Sequence, residues 1–81
     1  MNVAFHEIEP LKYKAIRARI RAQADSMREI GNAGSAISNG VEVSWSYDES
    51  TRVLRFNCLA RPWYVPESLI ASRIRGLMES L

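Results

Sequence analysis

Residues 41–58, VEVSWSYDESTRVLRFNC, decide the fold. Val41, Val43, Trp45 and Tyr47 alternate with Glu42, Ser44 and Ser46, while Leu54, Phe56 and Cys58 alternate with Val53, Arg55 and Asn57. A period of two marks strands that bury one face. With Asp48 to Thr51 as a four-residue hairpin loop, Tyr47 faces Arg52, Trp45 faces Leu54, Val43 faces Phe56 and Val41 faces Cys58. All the large apolar pairs then share one side, and a slip of one residue would carry one strand's apolar set to the other. Fully burying such side chains stabilises by about 1.5–3 kcal/mol each, which puts Trp45, Leu54, Val43 and Phe56 at the centre of the core.

Working outward, Pro62 cannot donate to a sheet ladder, so the second strand is expected to end near Arg61. Pro66 suits the first turn of a helix running from about residue 66 to 80, with Ile70, Ile74, Leu77 and Leu81 as its apolar stripe flanked by Leu69 and Met78. Upstream, NVAFHEI (residues 2–8) reads as a short strand, and Glu9-Pro10 as a helix start. From there Tyr13, Ile16, Ile20, Ala24, Met27 and Ile30 follow steps of three and four, which predicts one helix ending near Gly31. GNAGSAISNG (residues 31–40) holds three of the four glycines and reads as loop. The expectation is one α+β domain over residues 1–81, a small antiparallel sheet in β-α-β-β-α order with two helices packed on one face.

Composition bounds the function. A chain of 81 residues has a small core, and with one cysteine and one histidine it can form neither an internal disulfide nor an all-protein Cys/His zinc site. A partner subunit is the remaining route to stability, so a homodimer through the bare sheet face or an edge is expected. No apolar run approaches the roughly 18 residues of a membrane span, and MNVAFHEIEP lacks the pattern of a secretory signal, so a cytoplasmic protein is expected.

Catalysis is hard to assemble from these residues, and no enzyme is expected. His6 has no nucleophile elbow to serve, Cys58 reads as an inward core thiol, and no phosphate loop or dinucleotide fingerprint occurs. No cofactor or metal is called for.

Two groups of residues are candidates for binding. Trp63 and Tyr64 beside Arg61 have the composition of an interface hot spot. They read first as an aromatic plug closing the end of the core, because consecutive residues of an extended link point in opposite directions, leaving one ring buried and the other exposed for a partner. Nine of the eleven basic residues are arginine. Lys14, Arg17, Arg21 and Arg28, at spacings of three, four and seven, would stripe one side of the long first helix, interrupted by Asp25. Either the stripe is a solvated face or it binds anions such as nucleic acid, although a net charge of +2 is low for a dedicated nucleic-acid binder.

IGNAGSAI (residues 30–37) resembles the I-G-x-x-G-x-x-I signature of KH RNA-binding domains, whose loop clamps a nucleic-acid backbone. Its variable pair is Asn32-Ala33 rather than basic, and about three residues separate Ile37 from the next strand, too few for the helix that follows such a loop. Gly31 reads more simply as a helix C-cap. Across most of the chain, VAFHEI, GVEVSWSYDESTRVLRF and the apolar helix after LARPW resemble the small bacterial polyhydroxyalkanoate-system proteins, although this chain reads as one hairpin short of them. That resemblance implies a granule-associated or structural role without known chemistry.

Overall fold

A computed structural model describes residues 2–80. The elements are β1 (Asn2–Phe5), α1 (Pro10–Gln23), β2 (Ser26–Ile30), β3 (Ala33–Ser38), β4 (Val41–Asp48), β5 (Val53–Ala60) and α2 (Glu67–Glu79). The strands form one antiparallel sheet in the order β1-β5-β4-β3-β2. Trp45, Tyr47, Leu54 and Phe56 lie on one face of it and pack against Tyr13 and Ile16 of α1 and Met78 of α2. The architecture is the expected α+β layer with both helices on one face; Leu81, placed in the α2 stripe by its spacing, lies outside the described residues.

The sheet has five strands rather than three, because residues 26–38 are a hairpin and not a helix end followed by a loop. Helix α1 stops at Gln23, where Ala24 turns extended (φ −82, ψ 143). Three bonds from the β3–β4 end hold that break: Asp25 N–H donates to the Ile37 carbonyl (2.8 Å), Asn39 N–H to the Asp25 carboxylate (3.1 Å), and Ser38 Oγ–H to the Gln23 carbonyl (3.2 Å). Both turns of the hairpin stretch are two residues long. Gly31 (φ +58) opens the one between Ile30 and Ala33, and Asn39 (φ +52) with Gly40 (φ +78) makes the one between Ser38 and Val41. Two consecutive left-handed residues match the twist of the flanking strands, and Asn-Gly is the pair that adopts them most readily. Gly31 is thus a hairpin turn residue and not a helix C-cap, and the predicted stripe breaks: Met27 still packs on the core, while Ile30 is 86% exposed.

The β4–β5 hairpin keeps its predicted faces with a register displaced by two residues. Tyr47 pairs with Leu54, Trp45 with Phe56 and Val43 with Cys58, and the four-residue loop is 49–52, closed by Asp48 opposite Val53. The Asp48 carboxylate closes the displaced loop, accepting bonds from Ser50 Oγ (2.7 Å), Ser50 N (3.0 Å) and Thr51 N (3.3 Å). Those bonds, the Ser50 hydroxyl first, hold the Asp48 carboxyl below its ordinary range. Arg52 completes the turn with φ +58. A displacement of two is an even step, so no side chain changes face.

The polar atoms of Trp45 and Tyr47 in the core find partners. Trp45 Nε1–H donates to the Tyr13 hydroxyl at 3.0 Å, and Tyr47 O–H donates to the Ile8 carbonyl at 2.5 Å. The Tyr13 and Tyr47 rings stack with centroids 4.3 Å apart. Burial is the main cause that raises the Tyr47 hydroxyl pKa, with Glu49 adding to it. Trp45 needs room over β3, and Gly34 supplies it: a Cβ there would stand 2.5 Å from Trp45 Cζ2.

Candidate functional site: an aromatic corner beside an apolar cleft

The β3–β4 turn, the end of β5 and the start of α2 lie at one end of the sheet. A bulge there pairs Glu42 with Ala60 while Val43 pairs with Cys58, which leaves Leu59 as the extra residue. Strand β5 ends at Ala60, one residue before the expected Arg61. Pro62 to Val65 form a tight turn in which Val65 N–H donates to the Pro62 carbonyl at 3.0 Å. Arg61 braces it, donating from Nη1 to the Val65 carbonyl at 2.6 Å and pairing with Glu67 across 3.9 Å. Pro62 sits against the β3–β4 turn, 3.4 Å from where a Cβ on Gly40 would be.

The turn carries Trp63 and Tyr64 outward together. Trp63 is 90% exposed and Tyr64 68%, their rings meeting edge to face at 5.7 Å. The plug reading, with one ring in the core, is corrected: the residue turned inward is Val65, because the Pro62–Val65 turn breaks the alternation of an extended link. Of the large hydrophobics exposed among the described residues, Ile37, Leu59, Trp63, Tyr64 and Leu69 all belong to this end.

The same end opens into a cleft of about 280 Å³ between the helices. Its floor is the sheet (Val43, Trp45, Phe56) and its walls include Ile20 of α1 and Ile74 and Leu77 of α2. At the far end of α2, Arg19 Nη2 donates to the Ser80 carbonyl at 3.3 Å. Leu69, Ile70, Arg73, Ile74 and Leu77 form the α2 side, and Arg73 is the only charged residue among the described residues of the lining. The sequence predicted the apolar stripe but not the cleft, which depends on how far apart the helices lie.

The basic residues do not form one stripe. Arg28 lies on β2, and alternation with Met27 and Glu29 places it on the sheet face away from the helices. Arg21 Nη2 donates to Glu29 at 2.7 Å, and Arg17 Nε stands 3.9 Å from the other Glu29 oxygen while its guanidinium lies over the Tyr13 ring at 5.2 Å. Lys14 is exposed on α1. The physical reason is the helix break at Gln23, which sends residues 26–30 into the sheet and brings Glu29 under Arg17 and Arg21. His6 is exposed beyond β1, and Cys58 is partly buried with Sγ 3.6 Å from the Ala60 carbonyl.

Among the described residues no His, Cys, Asp and Glu cluster could hold a metal ion, and no helix is long and apolar enough to cross a membrane. No protein-family model, curated protein or solved structure matches the chain.

Proposed function

We propose that this protein is a non-enzymatic binding module that associates with a second copy of itself through the Arg61, Trp63 and Tyr64 corner. The observation that carries this reading is the pair of exposed rings on a backbone held by two prolines and the Arg61 bond to Val65. A large aromatic surface presented without conformational freedom is what an interface anchor requires. Ile37 and Leu59 at the same end of the sheet extend the apolar surface, and both flanking edges, β1 and β2, are short. The ten buried hydrophobic residues among those described are a modest core for a free-standing domain, which favours burial of further surface against a copy.

Sedimentation over a wide concentration range tests this. The mass should double, and Trp63→Ala and Tyr64→Ala should each weaken the dimer by roughly tenfold or more, the scale of a hot-spot residue. A monomer at every concentration overturns the reading. Anion binding through Lys14, Arg17, Arg21 and Arg28 is the competing function, and it is less favoured because Glu29 engages two of the four. A steeply salt-dependent shift of labelled single-stranded RNA would select it instead.

A further inference from the structure

The cleft between α1 and α2 has the properties of a small-molecule site rather than of a packing fault. Its volume of about 280 Å³ approaches the lower bound for ligand pockets. The lining is apolar apart from Gln23, Ser38, Asn39 and Arg73. The α2 wall runs from Leu69 to Leu77, about 12 Å along the helix at ~1.5 Å per residue, which favours an elongated occupant over a compact one.

Charge chooses the occupant's head. Arg73 is exposed, forms no ion pair with another described residue, and lies one helical turn from both Leu69 and Leu77. No carboxylate of the described residues shares the lining, so among them the wall presents one guanidinium without an opposite charge beside an apolar trough. A guanidinium pairs a carboxylate through two parallel N–H bonds, whereas it repels a cationic head and gains little from a hydroxyl.

We infer that the cleft binds a single-chain aliphatic carboxylate of medium length, with its chain between Ile20 and Ile74 over Trp45 and Phe56 and its carboxylate on Arg73. The site stands independently of self-association, since neither Trp63 nor Tyr64 lines it.

The test is a titration of the full chain with nonanoate, 1-nonanol and nonyltrimethylammonium below the concentration at which each aggregates, followed by backbone amide NMR shifts. Nonanoate should saturate one site per chain, with shifts confined to the cleft lining. It should bind about tenfold or more tighter than the ammonium compound, with the alcohol between them. Arg73→Met should abolish that ranking while apolar binding persists, and Arg73→Lys should retain part of it. Shifts spread over the surface, no saturation, or a ranking that survives Arg73→Met would overturn the assignment. The comparison of head groups on the unaltered chain stands without any variant.

Discussion

The same substitution at two glycines should move stability in opposite directions. A Cβ on Gly34 would stand 2.5 Å from the Arg28 carbonyl oxygen and 2.5 Å from Trp45 Cζ2, where ordinary contacts are 3.4–4 Å. One obstacle is backbone and the other is a ring held by its bond to Tyr13, so about 1 Å of movement must come from the β2–β3 pairing or from the centre of the core. Overpacking of that kind costs about 2–3 kcal/mol. Alanine recovers about 0.5–1 kcal/mol of the backbone entropy that glycine loses in a strand, leaving a net loss of about 2 kcal/mol for Gly34→Ala. Gly76 lies inside α2 with nothing within 4 Å of an added Cβ, so only the helix-propensity term operates there. Gly76→Ala should therefore stabilise by about 0.8–1 kcal/mol. At about 4–8 °C per kcal/mol for a domain of this size, the melting temperatures should lie roughly 10 °C below and about 5 °C above that of the unaltered protein. Thermal melts by circular dichroism at one fixed protein concentration, so that mass action does not intrude, measure both. Shifts in the same direction, or a Gly34→Ala protein as stable as its parent, would refute the account of why the third strand is built from small residues.

Other consequences follow from single contacts. Tyr13→Phe strands the buried indole N–H of Trp45 and should cost about 1–3 kcal/mol in urea denaturation, with most of the loss absent when Trp45 is already phenylalanine. The Asp48 carboxyl is depressed in the fold, so its contribution is present above the ordinary aspartate pKa, about 3.9, and is lost as pH falls through the lower folded value. Asp48→Asn should accordingly be less stable at neutral pH and show a flatter acid limb in denaturation against pH. Tyr47 is raised, so its contribution is complete below about pH 10 and disappears as pH climbs through the folded value; Tyr47→Phe should flatten the alkaline limb. Glu29→Gln releases Arg17 and Arg21, and retention on an anionic column should rise.

What could be read in advance follows from where the physical signal is local. Residues 41–58 carry a strict apolar alternation, so their faces were legible, while the exact pairing goes with the hydrogen-bonding of Asp48, a local detail that alternation does not encode. Strand β3, AGSAIS, is nearly silent because a tryptophan from β4 occupies the space its side chains would fill, and small residues carry no hydrophobic period. A usable sign was nevertheless present: Asn39-Gly40 between two possible strands is a hairpin signal, and giving it more weight than the three-four spacing of Met27 and Ile30 would have found β2 and β3. Arg61, Trp63 and Tyr64 stood out by composition, but their joint exposure depends on the turn that Val65 closes onto Pro62. Arg73 carried no sign at all, because its isolation is a property of the neighbouring helix and sheet rather than of its own segment.

The strand order also bears on how the chain reaches its native state. From Ser26 to Ala60 each strand lies beside its successor, so four of the five can zip together through short loops that close quickly. The first strand is different: Val3 meets Phe56, and joining them requires about two-thirds of the polypeptide to be drawn into a single large ring. Substitutions along the meander should therefore slow refolding, whereas weakening Val3 or Phe5 should chiefly hasten unfolding, a division that stopped-flow rates on either side of the denaturation midpoint would expose.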